Sequence, residues 1–189
     1  MIIASSRASN SGTIQLLRRL RTKGAIRPIP SSASRASVNR SPVLPTEVSA
    51  LRKAAFDRYV NDPYDGAAPC AIVNALARLK RGELLSPSST EHLLTIMSNT
   101  KTGANRLKGG LQPGWVLNHK TGTGQVLGTE QAGYNDIGIL TAPDGRSYAV
   151  AVMIKLTSVP LPVRMAVMND VVRTVITQHD MSFSPVASR

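Results

Sequence analysis

The chain of 189 residues has one cysteine, Cys70, which excludes an internal disulfide and leaves no cysteine framework for zinc. Cys70 falls in an apolar helical stretch and is expected to be a small buried residue. Aromatic residues make up only 4% of the sequence, too few for the stacking surfaces with which RNA-binding modules hold bases. No apolar run reaches the ~18–20 residues needed to cross a bilayer. The opening Met1-Ile2-Ile3-Ala4 is too short for the apolar core of a signal peptide. Acidic residues are absent from positions 1–46, which carry eight lysines and arginines from Arg7 to Arg40 and much of the net charge of +12. Such an arm reads as a serine-rich, poorly structured segment. It also superficially matches an organelle transit peptide, and it could hold polyanions.

Hydrophobic content of 42% and this length suit one domain with a sizeable core. Residues 13–20 have a helical pattern, and Pro28, Pro30, Pro42 and Pro45 then interrupt regular structure. A helix is predicted over 47–60, with Val48, Leu51, Ala55 and Tyr59 on its packing face. Pro69 suits the first turn of the next helix, whose stripe Ile72, Val73, Leu76 and Leu79 runs to Gly82. Ser88-Ser89-Thr90-Glu91 has capping-box spacing and precedes Leu93, Leu94, Ile96 and Met97. The period then changes. Residues 115–123, 135–141 and 147–156 read as strands, the last two joined by Pro143-Asp144-Gly145. Pro162 can open a final helix with Val163, Val167, Val171 and Val175 at four-residue spacing. Helices, three antiparallel strands and a helix packed on the sheet make the class α+β. The chain divides into a basic segment, 1–46, and a domain, 47–189.

The densest chemistry is Asn118-His119-Lys120-Thr121-Gly122-Thr123-Gly124. A cation beside a hydroxyl, followed by a residue without a side chain, suits a strand edge that grips an anion. Lys120 and Thr121 can hold a carboxylate, Gly122 admits close approach, and the Thr123 N–H can face a developing oxyanion. The same Lys-Thr-Gly triplet recurs at Lys101-Thr102-Gly103. His119 alternates to the strand face opposite Lys120 and reads as a packing or surface residue. Asn135 and Asp136 are open to substrate contact or to hydrogen bonding at the strand edge. His92 and His179 have no partner at ligand spacing, and no metal is called for.

With Arg78-Leu79-Lys80-Arg81-Gly82-Glu83-Leu84-Leu85-Ser86 upstream, and Thr102-Gly103, Arg106-Leu107, Gly110-Leu111 and Pro113-Gly114-Trp115 leading in, this strand resembles the C-terminal part of the class A β-lactamases. Asn135-Asp136-Ile137, Pro143-Asp144-Gly145-Arg146 and Tyr148-Ala149-Val150-Ala151-Val152 resemble the hairpin that follows. The likeness is good from about 67 to 179. It implies a serine hydrolase that opens a β-lactam amide through an acyl-enzyme, without a cofactor, in the periplasm or outside the cell. Penicillin-binding D-alanyl-D-alanine peptidases share the clamp and remain an alternative, as does an inactive basic fragment. The family uses three signature elements, S-x-x-K, S-D-N and K-T-G, and a loop glutamate. The chain's one S-x-x-K, Ser98-Asn99-Thr100-Lys101, ends a helix and lies 19 residues before Lys120, so its order is wrong for the nucleophile. Ser9-Asn10-Ser11 is the best counterpart of S-D-N, which would make Ser9 the proton-relay serine; a chance match in a serine-rich stretch is the other reading. In Asn39-Arg40-Ser41-Pro42, Pro42 stands at the glutamate position, and Glu47 is the nearest substitute. The resemblance therefore implies a member lacking its nucleophile helix and first two strands, with a sheet edge left open.

Overall fold

A computed structural model describes residues 2–7, 45–62 and 66–183. Ser9, Asn10, Ser11, the helix expected over 13–20 and Pro42 lie outside the described residues. The elements are β1 (Ile2–Arg7), α1 (Pro45–Asn61), α2 (Pro69–Lys80), α3 (Pro87–Ser98), a 3-10 turn (Leu107–Gly110), β2 (Val116–Thr123), β3 (Val126–Leu127), β4 (Glu130–Thr141), β5 (Ser147–Thr157) and α4 (Leu161–Phe183). The sheet is antiparallel in the order β1-β5-β4-β2, with β3 paired to β4.

The α+β class holds, with more sheet than the three expected strands. β4 starts at Glu130, because Val126-Leu127 folds back on Glu130-Gln131 through a tight turn at Gly128 (φ 59°). β1 pairs with β5 from Ile2 opposite Met153 to Arg7 opposite Tyr148. The free edge of β5 is thus paired by residues 2–7, and β1 becomes the outer strand on that side of the sheet.

Helices cover both faces of the sheet. On one face, Tyr148, Val150 and Val152 of β5 and Leu140 of β4 meet Met168, Val171, Val172, Val175 and Ile176 of α4. On the other, Ala149, Ala151 and Ile139 meet Val73, Leu76, Ala77 and Leu79 of α2 and Met97 of α3. Burial on both faces explains why 148–152 is an unbroken apolar run rather than an alternating one. Each fully buried Leu, Val or Ile of these layers contributes roughly 1.5–3 kcal/mol.

The α4 stripe differs from the expected one. Val163 is exposed, while Met168, Val172 and Ile176 join Val171 and Val175 in the core. A four-residue repeat turns about 40° per step on a 3.6-residue helix, so no such stripe faces one neighbour along 23 residues. In α1, Val48 and Leu51 are exposed and Phe56 is the buried apolar residue. Periodicity had marked a face, but this helix meets the sheet near its C-terminal end, where Lys155 Nζ donates to Asn61 Oδ1 (3.2 Å). Cys70 is exposed rather than buried, on the outer side of the first turn of α2. The cap of α3 is Ser86, not Ser88: its Oγ accepts from the Ser89 N–H at 3.3 Å, with Pro87 in the first turn. After α2, Gly82 takes a positive φ of 74° and turns the chain toward Glu83. The Arg81 guanidinium, with Arg78 adding to it, holds the Glu83 carboxyl below the usual carboxylate range.

The hairpin Pro143-Asp144-Gly145 forms as expected. The Gly145 N–H donates to Ala142 O (2.9 Å), Gly145 is left-handed (φ 86°) and Ala142 N–H donates to Arg146 O (2.8 Å).

The 3-10 turn sits against α4 so closely that a Cβ on Gly110 would lie 2.4 Å from Asn169 O and 2.9 Å from Val172 Cβ. Gly110→Ala is expected to destabilise the fold by about 1–3 kcal/mol, as overpacking against backbone does, measured as a lower urea midpoint at unchanged slope.

Candidate active-site strand

β2 forms because its two faces have different tasks. Leu117 and His119 point to the α4 side and are buried; Asn118 and Lys120 point to the α2–α3 side. Trp115, just before it, anchors the strand in a ring cluster with Tyr148 and His179. His179, which spacing had left without a ligand partner, hydrogen-bonds the Tyr148 hydroxyl through Nδ1 (2.8 Å) and lies 3.5 Å from Asp144 through Nε2.

The alternation placed His119 correctly, and the structure shows what it meets. His119 is 1% exposed and its Nδ1–H donates to Asp136 Oδ1 at 2.9 Å; Asp136 is fully buried. The same carboxylate accepts the Leu107 N–H at 3.2 Å. Asp136 is thus an internal tie between β4, β2 and the 3-10 turn, not a substrate contact. Asn135 also serves the fold, its Oδ1 accepting from the Ile154 N–H at 3.0 Å. Gly138, opposite His119, leaves the space: a Cβ there would lie 2.6 Å from Asn118 O and 2.9 Å from His119 Cβ.

β2 is the last strand of the sheet, and the Gly124 N–H turns inward to Ala132 O and Gly133 O. By alternation, the Thr123 N–H turns to the outer edge, where the His119 carbonyl also faces and accepts from Thr100 Oγ1 at 2.6 Å. Lys120 is exposed, its Nζ folded over its own strand to donate to Thr121 O. A Cβ on Gly122 would meet only ordinary contacts, Asn135 Cβ at 3.6 Å and Nδ2 at 3.7 Å. Nothing inside the protein requires glycine there; its absence of a side chain leaves room on the Lys120 face.

In the sequence Arg106 stands out only as part of the lead-in. It is 9% exposed. Its Nη1 donates to Gly122 O (2.9 Å) and Asn135 O (2.7 Å), its Nη2 to Thr123 Oγ1 (2.6 Å), and its guanidinium lies 3.9 Å from the Tyr134 ring centroid. Arginine only donates, so the Thr123 hydroxyl keeps its own proton for an outside acceptor. One guanidinium thereby braces the backbone of the Lys-Thr-Gly strand and adds positive charge beside it.

The other candidates do not join this strand. Ser98 ends α3 and its Oγ donates to Thr95 O of its own helix at 2.8 Å. It lines an open cleft of about 580 Å³ between α2 and α3, with Asn118 at one wall. Glu47 is exposed in the first turn of α1, and His92 is exposed on α3. Among the described residues, no group of three or more His, Cys, Asp or Glu side chains could hold a metal ion.

The sequence profile described as the Beta-lactamase enzyme family matches residues 10–179. This chain belongs to that family. Family membership accounts for the Lys-Thr-Gly strand and its lead-in, and makes the α+β arrangement part of a β-lactamase-like fold. Extended-spectrum β-lactamase PER-1 of Pseudomonas aeruginosa is 42% identical over 80 residues, 42% of this chain and 26% of that protein. β-Lactamase VEB-1 of the same organism is 31% identical over 93 residues, 49% of this chain and 31% of that one. Among solved structures, a β-lactamase from Chitinophaga pinensis aligns with a TM-score of 0.60 at 32% identity, covering 68% of this chain and 47% of that one. The extended-spectrum β-lactamase TLA-3 aligns at 0.59 and 35%, covering 63% and 44%. The chain therefore spans about a third or less of the length of these curated relatives, and under half of these two solved chains.

Removing the Asp136 carboxylate orphans two buried donors at once. Asp136→Ala is expected to cost about 2–5 kcal/mol, and Asp136→Asn, which keeps one acceptor, clearly less. Chemical denaturation of the two variants side by side checks this; equal midpoints would refute the tie.

Proposed function

We infer that β2 is the β-lactam-binding strand of a class A type serine hydrolase. In this reading Lys120 and the Thr121 hydroxyl hold the substrate carboxylate, Gly122 lets the ring approach, and the outward Thr123 N–H stabilises the oxyanion that forms when a serine attacks the lactam carbonyl. The carbonyl–nitrogen bond then breaks to leave an acyl-enzyme ester, which water cleaves. The observation that carries the reading is the exposed cation beside a vacant-sided glycine on a braced sheet edge, a geometry the fold's own packing does not require.

Ser98 does not serve as the nucleophile, since it is committed to its own helix end and belongs to the lead-in rather than to a helix start. Ser9 remains the proposed relay serine on sequence order alone. On family likeness alone, this reading assigns the protein to the periplasm or to the outside of the cell. Among the described residues no helix is long and apolar enough to cross a membrane.

A second reading, a penicillin-binding relative, is favoured by one likeness: PBP-A aligns with a TM-score of 0.51 at 29% identity, covering 61% of this chain and 40% of that one. A mutant of that protein is known as an acyl-enzyme complex with penicillin G.

Titration of the folded chain with benzylpenicillin is expected to shift the amide resonances of residues 120–123, and Lys120→Ala to weaken binding at least about tenfold, the loss of one charge-assisted contact. A folded chain that shows no shift sinks the reading. Intact mass after the incubation is expected to show no adduct on Ser98. If any other serine is acylated, rapid loss of the adduct marks a lactamase and persistence marks a peptidase.

A further inference from the structure

The second Lys-Thr-Gly triplet, Lys101-Thr102-Gly103, is left unexplained by that reading. It lies on the loop between α3 and the 3-10 turn, and the fold brings it back against the first. Thr102 Oγ1 is 2.7 Å from Thr121 Oγ1. Gly103, with a positive φ of 75°, lies against the other branch of the same side chain: a Cβ there would stand 2.4 Å from Thr121 Cγ2. The hydroxyl and the methyl of Thr121 are therefore each held by a neighbouring residue of one loop. Both groups branch from Cβ, so holding the two fixes a single χ1 well.

We propose that Thr102 is a positioning residue for ligand binding: it holds the Thr121 hydroxyl in the rotamer, and with the proton direction, that a substrate carboxylate needs. With Thr102 as donor, the Thr121 oxygen is satisfied from behind and its own proton is free to point at the ligand. A chain of two hydroxyls also polarises the outer one and makes it the better donor. Arg106 treats Thr123 in the same way, donating to its oxygen at 2.6 Å. The loop thus prepares two successive outer hydroxyls of β2, one through a threonine and one through an arginine, and Thr100 holds the backbone at His119 below them. The proposal rests on the carboxylate-binding role inferred for Thr121.

The test uses the full chain, isotopically labelled, as wild type, Thr102→Val and Thr102→Ser. Thr102 is exposed, so neither change touches the core. The three-bond couplings from the Thr121 methyl carbon to its backbone nitrogen and carbonyl carbon report χ1 without any ligand, and amide shifts on benzylpenicillin addition report affinity. Couplings of one fixed rotamer are expected in the wild type and in Thr102→Ser. Averaged couplings, with binding about three- to tenfold weaker, the span of one net hydrogen bond, are expected in Thr102→Val. Gly103→Ala, which presses on the methyl instead, is expected to move the couplings without removing the Thr102 hydroxyl. Unchanged Thr121 couplings in Thr102→Val, or unchanged affinity, overturn the proposal. A folded wild type that does not bind benzylpenicillin overturns the site reading itself, and the positioning role with it.

Discussion

A carboxylate with no solvent exposure, Asp136, ties together the parts of this protein that approach the candidate site. It accepts from the His119 imidazole on β2 and from the Leu107 backbone at the start of the 3-10 turn. A buried carboxylate is costly unless donors surround it. The energetics therefore favour one arrangement, in which β2, β4 and the turn meet at this point. The neighbouring Arg106 is placed by the same constraint, since it immediately precedes Leu107. From there its guanidinium reaches the carbonyls of Gly122 and Asn135.

The strand that results has unequal sides. Toward α4, Leu117 and His119 are buried, with His119 tied to Asp136, while at the outer edge the hydroxyls of Thr121 and Thr123 are held by Thr102 and Arg106 of the preceding loop. Toward α2 and α3, Lys120 and Gly122 leave a cation and a gap. The rigid side supports the open one, and in the proposed reading groups held this way lose little freedom on binding a ligand. Family membership fits this division: the Lys-Thr-Gly strand is within the stretch that matches the β-lactamase family, and the groups behind it supply its rigidity.

Much of the fold was legible because it depends on local rules. The strand 147–156, the Pro143-Asp144-Gly145 hairpin and the helix opened by Pro69 follow from alternation, turn chemistry and capping, which act over a few residues. What failed depended on partners distant in sequence. The apolar stripe of α1 had a face but no neighbour to bury it, and Cys70 lay on an outward side that composition does not reveal. The β1–β5 pairing joins residues some 145 positions apart, beyond the reach of any periodicity. The capping residue of α3 was displaced by two positions because Pro87 fits the first turn.

The sequence by itself determined the chemistry of the candidate strand: Lys120, Thr121, Gly122 and Thr123 in that order, and the opposite facing of Lys120 and His119. Both follow from residue type and the two-residue period of an extended chain. Only the tertiary structure decided that Asp136 is an internal tie, that Arg106 braces the end of β2, and that the second Lys-Thr-Gly triplet lies against the first. Those roles come from hydrogen bonds spanning 16 to 29 residues. Such bonds depend on how the loop after α3 folds back over the sheet, and no short-range pattern in the chain encodes that path.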